Sequence, residues 1–225
     1  MPDMVQLMLT TTCAAETAEP LKAVLTDVAV ACVLITPPGW SAPTQASNPD
    51  EEVDRPGYDQ AVCQTLVELI QQYDTAALIA NDSALAQATG ADGCHFDPRV
   101  DLEDAYRNAR AFLGRDAAVG IMPATSRHTA MTLAEAGADY IGYAVTSATD
   151  TAGLDHVAWW AEIFESPVVA FTDGDIATCR LAIERGPPDF LAAPLLVDGK
   201  TDHLQGLSRL IEVSGQLPIA AKDAK

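Results

Sequence analysis

The chain has 225 residues, of which 48% are hydrophobic and 20% are charged. This composition is typical of a folded globular protein with a large core, and it excludes an intrinsically disordered chain. The 13 basic and 32 acidic residues give a formal net charge of −19. Nucleic acids and anionic membrane surfaces are therefore not expected as partners. A phosphorylated ligand would need a cation or a local dipole to offset this charge.

The five cysteines are scattered along the chain, and no two of them have the spacing of metal ligands. We therefore expect buried free thiols in a reducing compartment. The first residues lack the features of a secretory signal. No apolar run approaches the ~18 residues that a membrane span needs. Together these observations predict a cytoplasmic location.

The first quarter of the chain predicts two strands, one helix and a long loop. The first strand ends in three threonines, and the second is a near-continuous apolar run of the kind that is buried on both faces. The loop, 37–57, is rich in proline and has no periodicity, so a functional lid and a plain surface excursion are both open. The predicted strands cover 5–9 and 28–35, and the helix covers 16–26.

The stretch 76–97 predicts a strand, a two-turn helix and a second strand, each bounded by turn residues. The first of these strands is followed by Asn81 and Asp82. The second strand carries His95 and is followed by Asp97. Because the carboxyl ends of parallel strands lie side by side, these side chains are expected on one face of the sheet, where ligands bind.

The remaining segments continue the alternation of buried strands and amphipathic helices, giving eight of each. This pattern predicts an α/β fold with a parallel sheet, and eight units suit a single-domain (β/α)8 TIM barrel over 1–225. An open doubly wound sheet is the alternative. The terminal segment 220–225 is expected to be frayed. The further predicted helices are 58–73, 102–113, 126–136, 154–165, 176–185 and a last one near 204–211, and the further strands are 117–121, 139–145, 167–171 and 189–196.

In such a barrel the ligand site lies at the carboxyl ends of the strands. The side chains and turns that follow those ends are therefore candidates for substrate binding. For His95, a partly buried histidine bonded to a backbone carbonyl is the open alternative. A turn before a helix, as at Gly174, suits an anion, although the flanking aspartates favour ordinary helix caps. The candidates are Asn81, His95, Thr146, Thr149, Gly174 and Ala193.

Carboxylates near the ends of the third and fourth strands are candidate metal ligands. Asp82, together with Asp97 or Asp101, supplies the oxygen ligands that a divalent hard cation prefers. Turn formation and helix capping explain Asp82 equally well. The metal prediction is therefore one of two open interpretations.

Three motifs, in order, resemble the thiamine phosphate synthase/thiazole tautomerase superfamily. The first is Ala80-Asn81-Asp82, the second runs from Thr89 to His95, and the third from Ala136 to Gly142. The family pattern at these places reads N-D, then G-A-D-G-x-H, then A-G-A-D-Y-I-G. The resemblance covers roughly residues 58–196 and agrees with the predicted barrel.

The resemblance implies an enzyme that couples a hydroxymethylpyrimidine diphosphate to a thiazole phosphate and releases pyrophosphate with Mg²⁺. By position, Asn81 would contact the pyrimidine or the diphosphate. Asp82 and either Asp97 or Asp101 would hold the Mg²⁺. The segment between His95 and Asp101 is one residue longer than the family pattern, which leaves the choice of the second aspartate open.

The segments that bind phosphate in the family differ here. The place of the Q-x-R-x-K segment is taken by 34–38, LITPP, and the T-x-T-K segment by 146–151, TSATDT. The G-x-S segment corresponds to 120–123, GIMP, and the G-G-I turn to 172–176, TDGDI. Each charge-assisted bond lost to a diphosphate costs about 1.5–3 kcal/mol. Affinity for a diphosphate is therefore expected to be much reduced.

Three functions are compatible with these features. The first is a working thiamine phosphate synthase, a transferase of thiamine biosynthesis. The second is a divergent barrel enzyme or small-molecule binder with a less anionic ligand. The third is a catalytically silent relative, a pseudoenzyme that acts as a regulatory or interaction subunit through its acidic surface. A homo-oligomer or a protein partner is compatible with each of them.

Overall fold

Eight parallel strands close into a barrel in which every strand pairs with its neighbours in chain order and β8 pairs with β1. The structure is a computed structural model, and it describes residues 5–40, 57–99, 101–195 and 202–214. The strands are β1 Gln6–Thr12, β2 Cys32–Thr36, β3 Ala76–Ala80, β4 Gly93–Phe96, β5 Ala118–Ile121, β6 Tyr140–Val145, β7 Val168–Thr172 and β8 Phe190–Pro194. The helices are α1 Ala18–Asp27, α2 Gln60–Gln71, α3 Ser83–Thr89, α4 Leu102–Leu113, α5 Arg127–Glu135, α6 Thr151–Ile163, α7 Ile176–Arg185 and α8 Asp202–Ser214.

Two buried layers follow from the alternation of side chains along the strands. One set of side chains, represented by Leu9, Val33 and Ile79, packs against the helices in the larger hydrophobic cluster. The other set points into the barrel and forms a separate cluster. The members of this inner cluster are Met8, Cys32, Leu34, Leu78, Ala80, Met122, Tyr140, Val169, Phe171 and Ala192. The barrel is therefore filled below its mouth.

Glycines make room for aromatic rings inside the barrel. A Cβ atom at Gly120 would overlap the ring of Tyr140, and one at Gly142 would lie 2.6 Å from Cε2 of Phe171. The missing side chains on β5 and β6 thus create the space that these two rings occupy.

The predicted α/β barrel is confirmed, but the predicted strand 28–35 is too long. The backbone N–H of Val28 donates to the carbonyl of Val24 at 2.8 Å and ends α1. Strand β2 therefore begins only at Cys32. Most of the predicted loop 37–57 and the predicted frayed tail 220–225 lie outside the described residues. None of the described helices combines the length and the apolar composition that a membrane span requires.

The prediction of free thiols is wrong for one pair of cysteines. Cys13, directly after β1, and Cys63, in the first turn of α2, form a disulfide with their Cα atoms 5.7 Å apart. The two cysteines are 50 residues apart in the sequence and come together only in the folded barrel. Their spacing in the sequence therefore did not indicate that they pair. Cys32, Cys94 and Cys179 are free and buried, as predicted.

Candidate ligand-binding site

A cavity of about 370 Å³ opens at the carboxyl end of the barrel, where the predicted site lies. This volume is in the range of small-molecule sites. Its walls come from the ends of β1, β2, β6, β7 and β8. The described lining residues are Thr10, Thr11, Thr12, Thr36, Trp40, Ala144, Val145, Thr146, Phe171, Thr172, Asp173, Pro194 and Leu195.

The threonines at the ends of β1 and β2 give the cavity an uncharged, hydroxyl-rich wall. Thr10 continues the inward register of Met8, and Thr36 continues that of Leu34. The Thr36 hydroxyl donates to the carbonyl of Thr11 at 3.0 Å, which ties the two strand ends together. The wall thus offers hydrogen bonds without a formal charge.

A hydrogen-bonded cluster of Trp40, Asn81 and Asp97 lies beside the cavity. The Trp40 indole N–H donates to Oδ2 of Asp97 at 2.8 Å, and the Asn81 amide donates to the same oxygen at 2.7 Å. The backbone N–H of Asp97 donates back to Oδ1 of Asn81 at 2.9 Å. Asn81 has φ 60°, a left-handed conformation that asparagine tolerates better than most residues. This cluster fixes Trp40 against the ends of β3 and β4.

His95 lies inside the barrel rather than at the cavity surface. It is fully buried, and its Nδ1 is 2.9 Å from the hydroxyl of Tyr140. Its Nε2 lies 3.8 Å from Oδ1 of Asp97. Burial lowers the pKa of His95 from 6.5 to about 4, although the Asp97 carboxylate opposes this shift. His95 is therefore neutral near pH 7.

Each of the three predicted metal ligands is engaged with a protein donor. Oδ1 of Asp82 accepts from the backbone N–H of Leu85 at 2.8 Å and caps α3. Asp97 accepts from Trp40 and Asn81. Asp101 pairs with Arg99, whose hydrogen bond lowers the pKa of that carboxyl.

These carboxylates do not form a ready Mg²⁺ site in this arrangement. Among the residues that the structure describes, no group of three or more His, Cys, Asp and Glu side chains is placed to hold a metal ion. Mg²⁺ binding through Asp82, Asp97 or Asp101 therefore stays a prediction, and nothing in the chemistry below depends on it.

We expect Asp82→Ala to lower the free energy of unfolding by about 1 kcal/mol, because a lost N-cap costs roughly this much. Urea denaturation would measure the change. The matched control is Asp116→Ala, because Asp116 is exposed and precedes β5 at the opposite end of the barrel. Thermal stability during a Mg²⁺ titration then tests the metal hypothesis. Equal Mg²⁺ responses of wild type and Asp82→Ala would contradict a ligand role for Asp82.

The other predicted binding residues are distributed around the same end of the barrel. Thr146 lines the cavity, and its hydroxyl donates to Asp150 at 3.1 Å. Thr149 is exposed and its hydroxyl lies 3.0 Å from that of Ser147. Gly174 has φ 83°, and its N–H donates to the Thr172 hydroxyl at 3.2 Å. Ala193 packs in the outer core, so its binding role stays a prediction.

Trp40 and Phe171 are site residues whose roles the sequence did not indicate. Trp40 falls in the predicted loop 37–57 and Phe171 in the predicted strand 167–171, and neither was among the candidate binding residues. The alternation of side chains along β7 places Phe171 on the inner face with Val169, and this alternation is the signal that would have identified Phe171. No sequence signal pairs Trp40 with Asp97, 57 residues away.

The fold is a (β/α)8 barrel with a cavity at the carboxyl ends of its strands. Residues 54–187 match the family described as thiamine monophosphate synthase. The chain belongs to this family, which confirms the resemblance.

Curated relatives and solved structures agree with this assignment. The thiamine-phosphate synthase of Rhodospirillum centenum is 35% identical over 182 residues, covering 71% of this chain and 84% of the relative. That of Erythrobacter litoralis is 38% identical over 148 residues, covering 60% and 68%. Thiamine phosphate pyrophosphorylase from Pyrococcus furiosus superposes with TM-score 0.67 at 22% identity, covering 95% of this chain and 97% of that one. Tryptophan synthase from M. tuberculosis gives TM-score 0.66 at 15% identity, covering 96% and 94%. These two structures support the fold alone.

Proposed function

We propose that this chain binds a small heteroaromatic molecule of the thiamine-precursor type in the cavity at the barrel mouth. The ligand carries less negative charge than a diphosphate. The observation that carries this proposal is the cavity wall, which combines threonine hydroxyls and two aromatic rings with one carboxylate, Asp173. Hydroxyls and aromatic faces suit a flat ring with a few hydrogen-bonding groups.

The charge of the cavity argues against a diphosphate. None of the described lining residues is basic, and Asp173 would repel an anion. The whole chain, at −19, adds to this repulsion. A diphosphate buried here would therefore lack the charge-assisted bonds that usually hold it.

Calorimetric titration of the full chain with the unphosphorylated hydroxymethylpyrimidine and hydroxyethylthiazole tests the proposal. Binding of at least one ring, with a stoichiometry of about one, is the expected result. No heat and no thermal stabilisation with either ring would refute it.

Thr10→Val is expected to weaken this binding by about fivefold, because it removes a hydroxyl from the wall at nearly constant volume. The control is Thr65→Val, since Thr65 lies on the exposed face of α2 and bonds only the carbonyl of Ala61 in its own helix. The ratio of the two dissociation constants is the measurement. An unchanged affinity in Thr10→Val would place the ring elsewhere.

A second candidate is thiamine phosphate synthase turnover, which the names of the curated relatives favour. Arg99 follows β4 and Arg127 follows β5, so both lie at the carboxyl end of the barrel, where the cavity opens. Arg99 bonds Asp101, and the guanidinium of Arg127 stacks over Trp159 at 4.3 Å from the ring centroid. Both would have to leave these partners to bind a phosphate.

Pyrophosphate release from both phosphorylated precursors with Mg²⁺ tests this second candidate. Turnover that is lost in Arg99→Gln or Arg127→Gln would establish it and assign the cation. Ring binding without turnover would favour the binding function. If neither ring binding nor turnover is found, a regulatory or interaction role is the remaining alternative.

A further inference from the structure

We infer that the cavity at the barrel mouth selects a cationic heteroaromatic ring over its neutral counterpart, with Asp173 as the counter-charge. This inference rests on the proposed function, because it specifies the ligand class of the same cavity. It goes further, because it assigns a positive charge to the ligand and names Asp173 as the residue that favours this charge.

The position of Asp173 supports this role. Asp173 directly follows β7, is exposed, and lines the cavity together with Phe171. Its Oδ1 accepts from the backbone N–H of Asp175 at 3.0 Å, which fixes the carboxylate at the cavity rim. Among the described residues that line the cavity, Asp173 is the one with a formal charge.

Two aromatic side chains complete a site suited to a cation. Trp40 and Phe171 line the same cavity as Asp173. A cation near an aromatic face is attracted by the negative potential of the ring, and tryptophan provides the strongest such attraction. Because the Trp40 N–H donates to the Asp97 carboxylate, the indole is held in place and its ring is polarised towards a more negative face.

The surroundings reinforce the same preference. Asp97 is buried directly behind Trp40, so a second carboxylate lies close to the cavity wall. The net charge of −19 raises the local concentration of cations around the whole molecule. The carboxylates, the aromatic faces and the net charge of the protein thus all favour a positively charged ligand.

The sharpest test compares two ligands that differ in little except charge. These probes are hydroxyethyl-methylthiazole and the N-methylthiazolium cation made from it. We expect the full chain at low ionic strength to bind the cation about fivefold more tightly, the effect of a screened ion pair with a cation–π contribution. Added salt should reduce this preference.

Variants at Asp173 assign the preference to its carboxylate. Asp173→Asn should reduce the ratio of the affinities for the cationic and the neutral ring to about one. Asp173→Glu should retain part of the preference. The charge-matched control is Asp116→Asn, since Asp116 is exposed and precedes β5 at the opposite end of the barrel. Circular dichroism would verify that each variant is folded.

The outcomes separate this inference from the proposed function. Equal affinities for the two rings, or tighter binding of inorganic pyrophosphate, would overturn the charge selection and leave ring binding intact. A preference that persists in Asp173→Asn would overturn the role of Asp173. If neither ring binds, both the inference and the proposed function fall.

Discussion

Gly93→Ala is expected to prevent folding, or to lower the free energy of unfolding by more than about 3 kcal/mol. Gly93 opens β4 and pairs with Ala118 of β5. A Cβ atom at Gly93 would overlap the backbone O, C and N atoms of Ala118. Flexible side chains can rotate away from an added methyl group, whereas two hydrogen-bonded strands of a closed barrel cannot separate locally. The added methyl group would therefore disrupt the pairing of β4 with β5.

Urea denaturation followed by circular dichroism measures this effect. The matched control is Gly57→Ala, because a Cβ atom at Gly57 meets none of the described atoms within 4 Å. The control should keep the wild-type free energy of unfolding to within about 0.5 kcal/mol, as expected for a surface substitution. If Gly93→Ala were as stable as Gly57→Ala, the described pairing of β4 with β5 would be wrong.

The barrel could be predicted from the sequence because its signals are local. Buried apolar strands alternate with amphipathic helices, and this alternation requires a parallel sheet. The error at 28–35 has a local cause as well, since an apolar run does not show where a helix ends. The backbone N–H of Val28 closes α1, and only the hydrogen bond to Val24 reveals this.

The site was predictable in position but not in its side-chain contacts. Thr146 and the three threonines at the end of β1 were expected at the carboxyl face, and they line the cavity there. The contact between Trp40 and Asp97 and the disulfide between Cys13 and Cys63 join distant segments. Such contacts depend on the stagger of neighbouring strands and on the direction of each side chain. A single sequence specifies neither directly.

His95 illustrates the same limit with a consequence for stability. Its position on a strand and its neighbours in the chain suggested either a ligand contact or a bond to a backbone carbonyl. In the barrel, the side chain that meets Nδ1 is Tyr140, 45 residues away and two strands along. The rings of His95 and Tyr140 stack with their centroids 5.6 Å apart, and Phe171 lies on another side at 5.0 Å. These aromatic neighbours exclude water, which causes the lowered pKa.

The buried imidazole is expected to make the stability of the protein fall as the pH is lowered below about 6.5. The pKa of His95 is about 4 in the folded protein, whereas the unfolded value is about 6.5. Between these values the unfolded chain binds a proton that the folded chain does not. The stability that His95 contributes is therefore fully present above pH 6.5 and is lost progressively towards pH 4. The expected loss is about 2 kcal/mol between pH 7 and pH 5, and about 3 kcal/mol below pH 4.

This prediction is tested by comparing how the free energy of unfolding depends on pH in wild type and in His95→Gln. The many carboxylates of this acidic chain also titrate towards low pH, but they do so in both proteins and cancel in the comparison. His95→Gln should be less stable than wild type at pH 7, and this gap should narrow by about 2 kcal/mol at pH 5. The control is His128→Gln, which removes an exposed histidine from α5. Parallel stability curves for wild type and His95→Gln would show that the imidazole binds a proton as readily in the folded protein as in the unfolded chain, and the dry aromatic surroundings described for it would then be wrong.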